Sequence, residues 1–340
     1  MKRVGYLIDK IADLDNLYLA YLKARRGKRD KGEVQLYEAN LHDYIAQLRN
    51  VLLSEQVILG NYTYFKIYDP KERMICAAPF KERVMHHAIM NVLHPYFDRH
   101  LISSSYATRL GKGVYAAIDR AMYGMKTYRY VVKLDVRKYF DSIDHPVLKA
   151  KIYRMFKDPV LLRLIDQLID SYEVEPGKGL PIGNLTSQYF ANHYLSRADH
   201  WAVDIEKIPL YIRYMDDILM FANSRHVLMD VVKRFEQQLR QEEKLTLKPI
   251  VCHPVHLGIS FLGYRLCPYQ IVLNGRSKRR FVQKMRHYAT LFSDGIWTEK
   301  TYYEHITPLL AFVQHADSFR FREQTLMTVG YALEPRSPGW

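Results

Sequence analysis

Two aspartates stand side by side, Asp216 and Asp217, inside the run Tyr211-Ile-Arg-Tyr-Met-Asp-Asp-Ile-Leu-Met-Phe221. β-Formers flank them on both sides, so the run predicts a strand, a tight turn carrying the acids, and a returning strand. Adjacent carboxylates in an apolar hairpin repel each other and are costly to desolvate. A chain holds them there only with something positive to neutralise them. A divalent metal suits best, because Mg2+ takes a few carboxylates together with substrate phosphates.

A second acidic element lies upstream. Val131-Val-Lys-Leu-Asp135-Val136 reads as a short β-branched strand ending in a carboxylate, and Arg137 to His145 reads as a turn into a helix. The interval from Asp135 to Asp216 is ample for a helical excursion between two neighbouring strands. Three carboxylates converging from two strands would hold two Mg2+ ions, one activating a 3′-hydroxyl and the other stabilising a leaving pyrophosphate. A lone aspartate is more often a turn or cap residue. That reading does not account for the pair together with the strand-end acid.

The remaining composition agrees. With 340 residues, 48% hydrophobic and 25% charged, the chain suits a globular protein of two or three subdomains. A net charge of +14 points to a polyanionic partner, the plainer alternative being a generally basic, soluble surface. Many of the 27 tyrosines sit beside Lys or Arg, as in Tyr128-Arg129-Tyr130 and Lys138-Tyr139. Such pairs either stack on bases while the cation meets phosphate, or are half-buried strand residues. Cys76, Cys252 and Cys267 form no CxxC pair, which suits a reducing compartment. Cys252-His253-x-x-His256 lacks a fourth zinc ligand and reads as strand or loop. No apolar core follows Met1, so no signal peptide is expected, and no apolar run is long enough to cross a membrane.

Helical spacing covers residues 6–56, interrupted by a basic loop over 25–32, with a second helix from Val34 to Leu53. The loop is either a solvated linker or a phosphate contact. Residues 62–68 and 73–78 predict two strands around the turn 69–72, followed by a helix from Phe80 to Phe97. The loop 103–113 is polar, glycine-bearing and basic. Residues 146–172 read as helical, and Gly179 to Gln188 as a glycine-containing loop opening a helix. A helix over 225–243, strands over 257–273 and basic C-terminal helices complete the chain.

Leu134-Asp135, Gly179-Leu-Pro-Ile-Gly-Asn-Leu-Thr-Ser-Gln188, Tyr214-Met-Asp-Asp217 and Phe261-Leu-Gly263 resemble, in order and spacing, the successive motifs of reverse transcriptases, over roughly residues 50–275. The resemblance implies an α+β right-hand polymerase, with an antiparallel palm sheet backed by helices. Its expected divisions are an N-terminal helical extension (1–56), fingers (57–130), palm (131–150), fingers and palm helices (151–178), palm with primer grip (179–275) and helical thumb (276–340). The roughly 65 residues after Gly275 are too few for an added nuclease domain, so no RNase H or endonuclease segment is expected. Most reverse transcriptases carry Gln-Gly…Ser-Pro where this chain has Ile182-Gly183…Ser187-Gln188. The Ile form is similar to the enzymes of diversity-generating retroelements, bacterial and phage systems that copy a template RNA with errors at adenines. Retron or phage-defence reverse transcriptases are the alternative, and a non-catalytic, maturase-like RNA-binding protein is another.

The resemblance also assigns roles. Asp135, Asp216 and Asp217 are the expected catalytic residues and ligands of two Mg2+ ions, with Mn2+ as a substitute. Phe140 is the expected aromatic gate that excludes a 2′-hydroxyl. Arg73, supported by Lys71, would clamp the triphosphate with a guanidinium fork. Backbone N–H groups around Arg137, Lys138, Tyr139 and Phe140 would add phosphate contacts. Ile182, Gly183 and Gln188 would border the nascent pair. Ile182 removes a polar check worth about 1–3 kcal/mol, so low fidelity is expected. Lys81, Arg83, Arg109, Tyr214, Met215, the grip Phe261-Leu262-Gly263, and Lys278, Arg279 and Arg280 would meet primer and template. Expected partners are the template RNA, an RNA/DNA hybrid, dNTPs and a small basic pentameric accessory protein, in a bacterial cytoplasm.

Overall fold

Alternation along two strands decides which face of the central sheet carries the acids. The computed structural model describes residues 3–54, 57, 59, 61–68 and 72–328. Its elements begin with helices α1 (Ile8–Ile11), α2 (Leu14–Ala24), α3 (Gly32–Ala39) and α4 (Leu41–Ser54). The expected second helix is therefore two, broken at Asn40, whose φ of −122° leaves the helical region. A two-stranded hairpin follows, β1 (Thr63–Ile67) with β2 (Arg73–Ala77), then α5 (Phe80–Arg99) and α6 (Val114–Thr127).

Next come β3 (Tyr130–Asp135), α7 (His145–Tyr153), α8 (Pro159–Asp170), α9 (Leu185–Tyr194) and α10 (Ser196–His200). The single helix expected over 146–172 is split. Asp158 caps the second half by accepting from the Leu161 N–H, and Pro159 takes its first turn, where a missing donor costs nothing. The strands β4 (Leu210–Tyr214) and β5 (Asp217–Ala222) form the acidic hairpin, followed by α11 (Arg225–Glu242) and β6 (Val251–Pro254). A second antiparallel sheet comprises β7 (Ile259–Phe261), β8 (Tyr264–Cys267) and β9 (Gln270–Leu273). The helices α12 (Gly275–Ser293), α13 (Glu299–Gln314) and α14 (Phe319–Thr328) close the described chain.

The central sheet is antiparallel in the order β4-β5-β3-β6. β6 contains Cys252 and His253, paired with Val132 and Val131 of β3, so this segment is a strand as expected. Both sheet faces are covered. Val132, Leu134, Ile218 and Met220 pack into a large core shared with α5, α8, α9 and α11. Val131, Ile212, Leu219 and Phe221 pack on the opposite face against α6, the second sheet and the C-terminal helices. Successive strand residues alternate in direction. Asp135 and Lys133 therefore share the face of Val131, and Asp217 shares that of Leu219. Burial on both sides specifies this register, because a slip of one residue would turn every apolar side chain the wrong way.

Candidate active site

Asp135 ends β3, Asp217 begins β5, and the two are direct partners across the ladder. Opposed Cβ atoms in such a pair lie about 4.5–5.5 Å apart. The hairpin turn places Asp216 beside them. Its carboxyl is pushed up to about 6 by burial, and further by the negative charges of Asp217 and Asp135, while Arg73 pulls the other way. Three acids and the Arg73 guanidinium of the β1–β2 hairpin therefore share one electrostatic neighbourhood.

Two lysines meet the acids. Lys133 Nζ lies 2.7 Å from Asp217 Oδ1, and Lys248 Nζ lies 2.6 Å from Asp135 Oδ1. Among the described residues no three His, Cys, Asp or Glu side chains close around one point. The donor chemistry nevertheless fits a hard cation, which prefers carboxylate oxygens. The upward shift at Asp216 comes first from burial and then from the neighbouring carboxylates, and a bound cation would oppose both.

The acidic turn is held from behind. Met215 has a φ of +56°, strained for a side chain with a Cβ. Its carbonyl accepts a hydrogen bond from Arg213 Nη1 at 3.1 Å. Arg213 is wholly buried, and so is Asp199, to which Nε and Nη2 donate at 2.7 and 2.5 Å. Arg213 also donates to the Asn192 side chain at 2.7 Å and to its backbone carbonyl at 3.0 Å, while the Tyr211 hydroxyl donates to Asp199. Burial opposes the guanidinium charge, but Asp199 outweighs it and the net shift is upward. A buried pair survives when further hydrogen bonds satisfy it, as here.

On the nucleotide side, Phe140 is half-buried, and its ring lies 5.8 Å from that of Tyr139. The Phe140 carbonyl accepts from the Leu180 N–H at 2.9 Å, tying this turn to the loop of Ile182 and Gly183. That loop docks on the hairpin, with the Cys76 N–H donating to the Ile182 carbonyl at 2.8 Å. Gly183 has a φ of +130°, and a Cβ there would come 2.9 Å from the Cys76 carbonyl oxygen, so only glycine fits without strain. Gln188 and Arg73 are exposed. Lys71 lies outside the described residues.

Two expectations need correction, those for Arg137 and Arg109. Arg137 cannot offer its N–H to a phosphate, because that group donates to the Thr246 carbonyl at 2.9 Å. The Tyr139 side chain is in the core, its hydroxyl donating to the Ala191 carbonyl, so only the backbone there can meet a ligand. The N–H groups of Lys138 and Tyr139 meet no acceptor among the described residues. Arg109 does not face a template: it donates to Asp98 at 2.6 Å and to the carbonyls of Ile102 and Ser105, pinning its own loop.

Phe261 is buried at the base of the β7–β8 turn, and Leu262 and Gly263 carry φ angles of +46° and +92°. Lys133 Nζ stands 6.0 Å from the Phe261 ring, so the lysine that pairs with Asp217 also joins this turn to the acids. Ser277 at the start of α12 donates to the Gly263 carbonyl at 2.7 Å. Tyr214 and Arg83 are half-buried, and burial lowers the Arg83 pKa. Lys81 is exposed, with Nζ 5.6 Å from the Tyr44 ring. Arg279 and Arg280 are exposed, whereas Lys278 is half-buried and turned toward Phe321, 5.6 Å from that ring.

Sequence reasoning missed Lys133, Lys248 and the Arg213–Asp199–Asn192 network. Two carried a signal. Lys133 lies two residues before Asp135, hence on its face, and Arg213 interrupts an otherwise apolar strand. Nothing in the local pattern marks Lys248.

Residues 68–266, more than half of the chain, match the family model described as reverse transcriptase (RNA-dependent DNA polymerase). The chain is 23% identical over 268 residues to protein YkfC of Escherichia coli strain K12, covering 63% of this chain and 70% of that one. It is 23% identical over 212 residues to the putative COX1/OXI3 intron 1 protein of Saccharomyces cerevisiae, covering 58% of this chain but 25% of that one. The solved structure of apo telomerase from Candida tropicalis superposes with a TM-score of 0.51 at 12% identity, covering 86% of this chain and 65% of that one. That likeness is one of fold, and it agrees with a right-hand polymerase of mixed helix and antiparallel sheet. Family match, sheet topology and the paired acids converge: the chain belongs to the reverse transcriptase family.

Proposed function

We propose that this protein is an RNA-directed DNA polymerase. The observation that carries the reading is the cross-strand pairing of Asp135 with Asp217 beside the desolvated Asp216. Asp135, Asp216 and Asp217 would hold the divalent ions that the family generally uses, and those ions would supply charge for the attacking and leaving oxygens. The chain's own residues do the rest. Arg213 holds the Met215 carbonyl and so orients the acids. Arg73 approaches from the hairpin as a triphosphate partner. The Phe140 ring closes the space beside the sugar, so a deoxynucleotide fits and a 2′-hydroxyl does not. The hairpin and α5 act as fingers, the β4-β5-β3-β6 sheet as palm, and α12 to α14 as thumb.

The loop of Ile182 and Gly183 favours the diversity-generating type within this activity. It borders the hairpin through the Cys76 contact, and Ile182 offers an apolar side chain where a glutamine would offer a polar one. A pentameric basic accessory protein belongs to that same reading. The intron-encoded yeast relative favours a second one, an RNA-binding protein serving an intron. One experiment separates them: extension of a DNA primer on an RNA template with dNTPs and Mg2+, followed by sequencing of the product. Extension with errors concentrated at template adenines is expected, and Ile182→Gln should reduce them about tenfold or more. Accurate extension would overturn the diversity-generating assignment, and no extension would overturn the polymerase.

A further inference from the structure

Arg3, Arg99, His100, Tyr153, Arg154 and His200 line an open groove with a volume of about 730 Å3. The three arginines are exposed and come from three separate segments. Arg99 ends α5 and Arg154 follows α7. Arg3 is held beside Arg154 by a parallel bridge of Val4 with Phe156, in which the Val4 N–H donates to the Met155 carbonyl and the Lys157 N–H to the Val4 carbonyl. The Asp158 carboxylate fastens the same junction, accepting from the N–H groups of Leu7 and Ile8.

Among the described residues none of these arginines has an ion-pair partner. Arg99 instead lies 5.8 Å from the Tyr96 ring. Two acids beside the groove are engaged elsewhere: Asp204 by His200 Nδ1 at 2.6 Å, and Asp166 by the Tyr153 hydroxyl. Arginine and histidine at helix C-termini are individually favourable, because they complement the helix dipole. That accounts for Arg99, His100 and Arg154 singly, but not for Arg3, which precedes α1. It does not explain the meeting of several from separate segments in one groove, where like charges repel and no carboxylate pairs with the guanidinium groups. A groove of this kind is complete only with an anion.

The groove shares no lining residue with the pocket at Asp135. α5 has 20 residues and is about 30 Å long. Its N-terminal end follows the hairpin, next to the Ile182 loop. Its other end packs on the end of α9, where Phe97 and His193 rings lie 5.4 Å apart. The groove sits at that shared end, where His100, which lines it, packs its ring 5.7 Å from that of His193.

We propose that this groove is a second RNA site, which binds the phosphate backbone of a folded RNA while the cleft works on another part of it. The proposal rests on the polymerase reading for the identity of the anion. Guanidinium forks match phosphate oxygens, and the Tyr153, His100 and His200 rings offer stacking faces to unpaired bases. Such a site would tether the template without obstructing its movement through the cleft.

The test compares the wild-type chain with the triple variant Arg3→Ala, Arg99→Ala, Arg154→Ala, whose changes all lie on the surface. Fluorescence anisotropy measures binding of a long RNA stem-loop across a salt series. Primer extension is measured on a short RNA/DNA duplex of about 8 base pairs. The variant should bind the stem-loop about tenfold more weakly, with a salt slope smaller by about three. Its kcat and KM on the short duplex should match wild type. Unchanged affinity and slope would overturn the proposal. So would an equal loss on the short duplex, which would assign the arginines to the cleft. Equal displacement of the stem-loop by poly-glutamate would make the groove a site for acidic protein. Absence of extension by the wild-type chain would count against the polymerase reading alone, since stem-loop binding is scored separately.

Discussion

At the scale of single residues, the account turns on how a strained turn keeps two acids in place. Met215 sits at positive φ, and the group that holds its carbonyl is a guanidinium buried among apolar side chains. Removing Arg213 alone leaves Asp199 charged and buried without its counter-ion, so Arg213→Met should destabilise the fold by about 3–5 kcal/mol. Pairing it with Asp199→Leu removes both charges and should restore most of that stability. It should not restore synthesis, because the Met215 carbonyl still lacks its donor. Urea unfolding and primer extension on the same two variants check this. Recovery of activity in parallel with stability would reduce the pair to a packing role.

At the scale of elements, the loop of Ile182 and Gly183 joins the β1–β2 hairpin to α9, and its geometry admits one residue type. Gly183→Ala forces a Cβ against the Cys76 carbonyl at a φ that side chains rarely adopt. The cost should be about 1–3 kcal/mol, and KM for dNTP should rise as the hairpin shifts. An unchanged melting temperature and KM would contradict that coupling. The same elements show what was legible in the sequence. The hairpin, the acidic turn and the strand of Asp135 are visible because period-two alternation and turn residues are local signals. The breaks at Asn40 and between α7 and α8 were missed because apolar spacing continues across them. Arg109 was misread because a basic loop residue looks the same whether it faces a phosphate or clasps Asp98. Lys248 was invisible because its meeting with Asp135 is a product of tertiary folding alone.

At the scale of the whole molecule, the long core holds ionisable groups that limit the pH range of the fold. His86 and His193 are buried, and burial pushes each down to about 3. Both are neutral in the folded chain and protonate near their ordinary value when it unfolds. The unfolded state therefore binds more protons below that value, and stability is lost as pH falls from about 6.5 toward 3, by at most about 1.4 kcal/mol per pH unit for each. Urea midpoints should hold steady from about pH 8 to 7 and then fall, and His193→Gln should flatten the slope. A profile flat to about pH 5 would contradict this assignment. The largest claim is that three acids at one end of the central sheet make the chain a polymerase. Its most direct measurement is single-turnover primer extension on an RNA template by Asp216→Asn beside wild type, with RNA affinity measured on both. The account predicts loss of synthesis by about a thousandfold or more, with RNA binding retained. Synthesis by Asp216→Asn at the wild-type rate would contradict it.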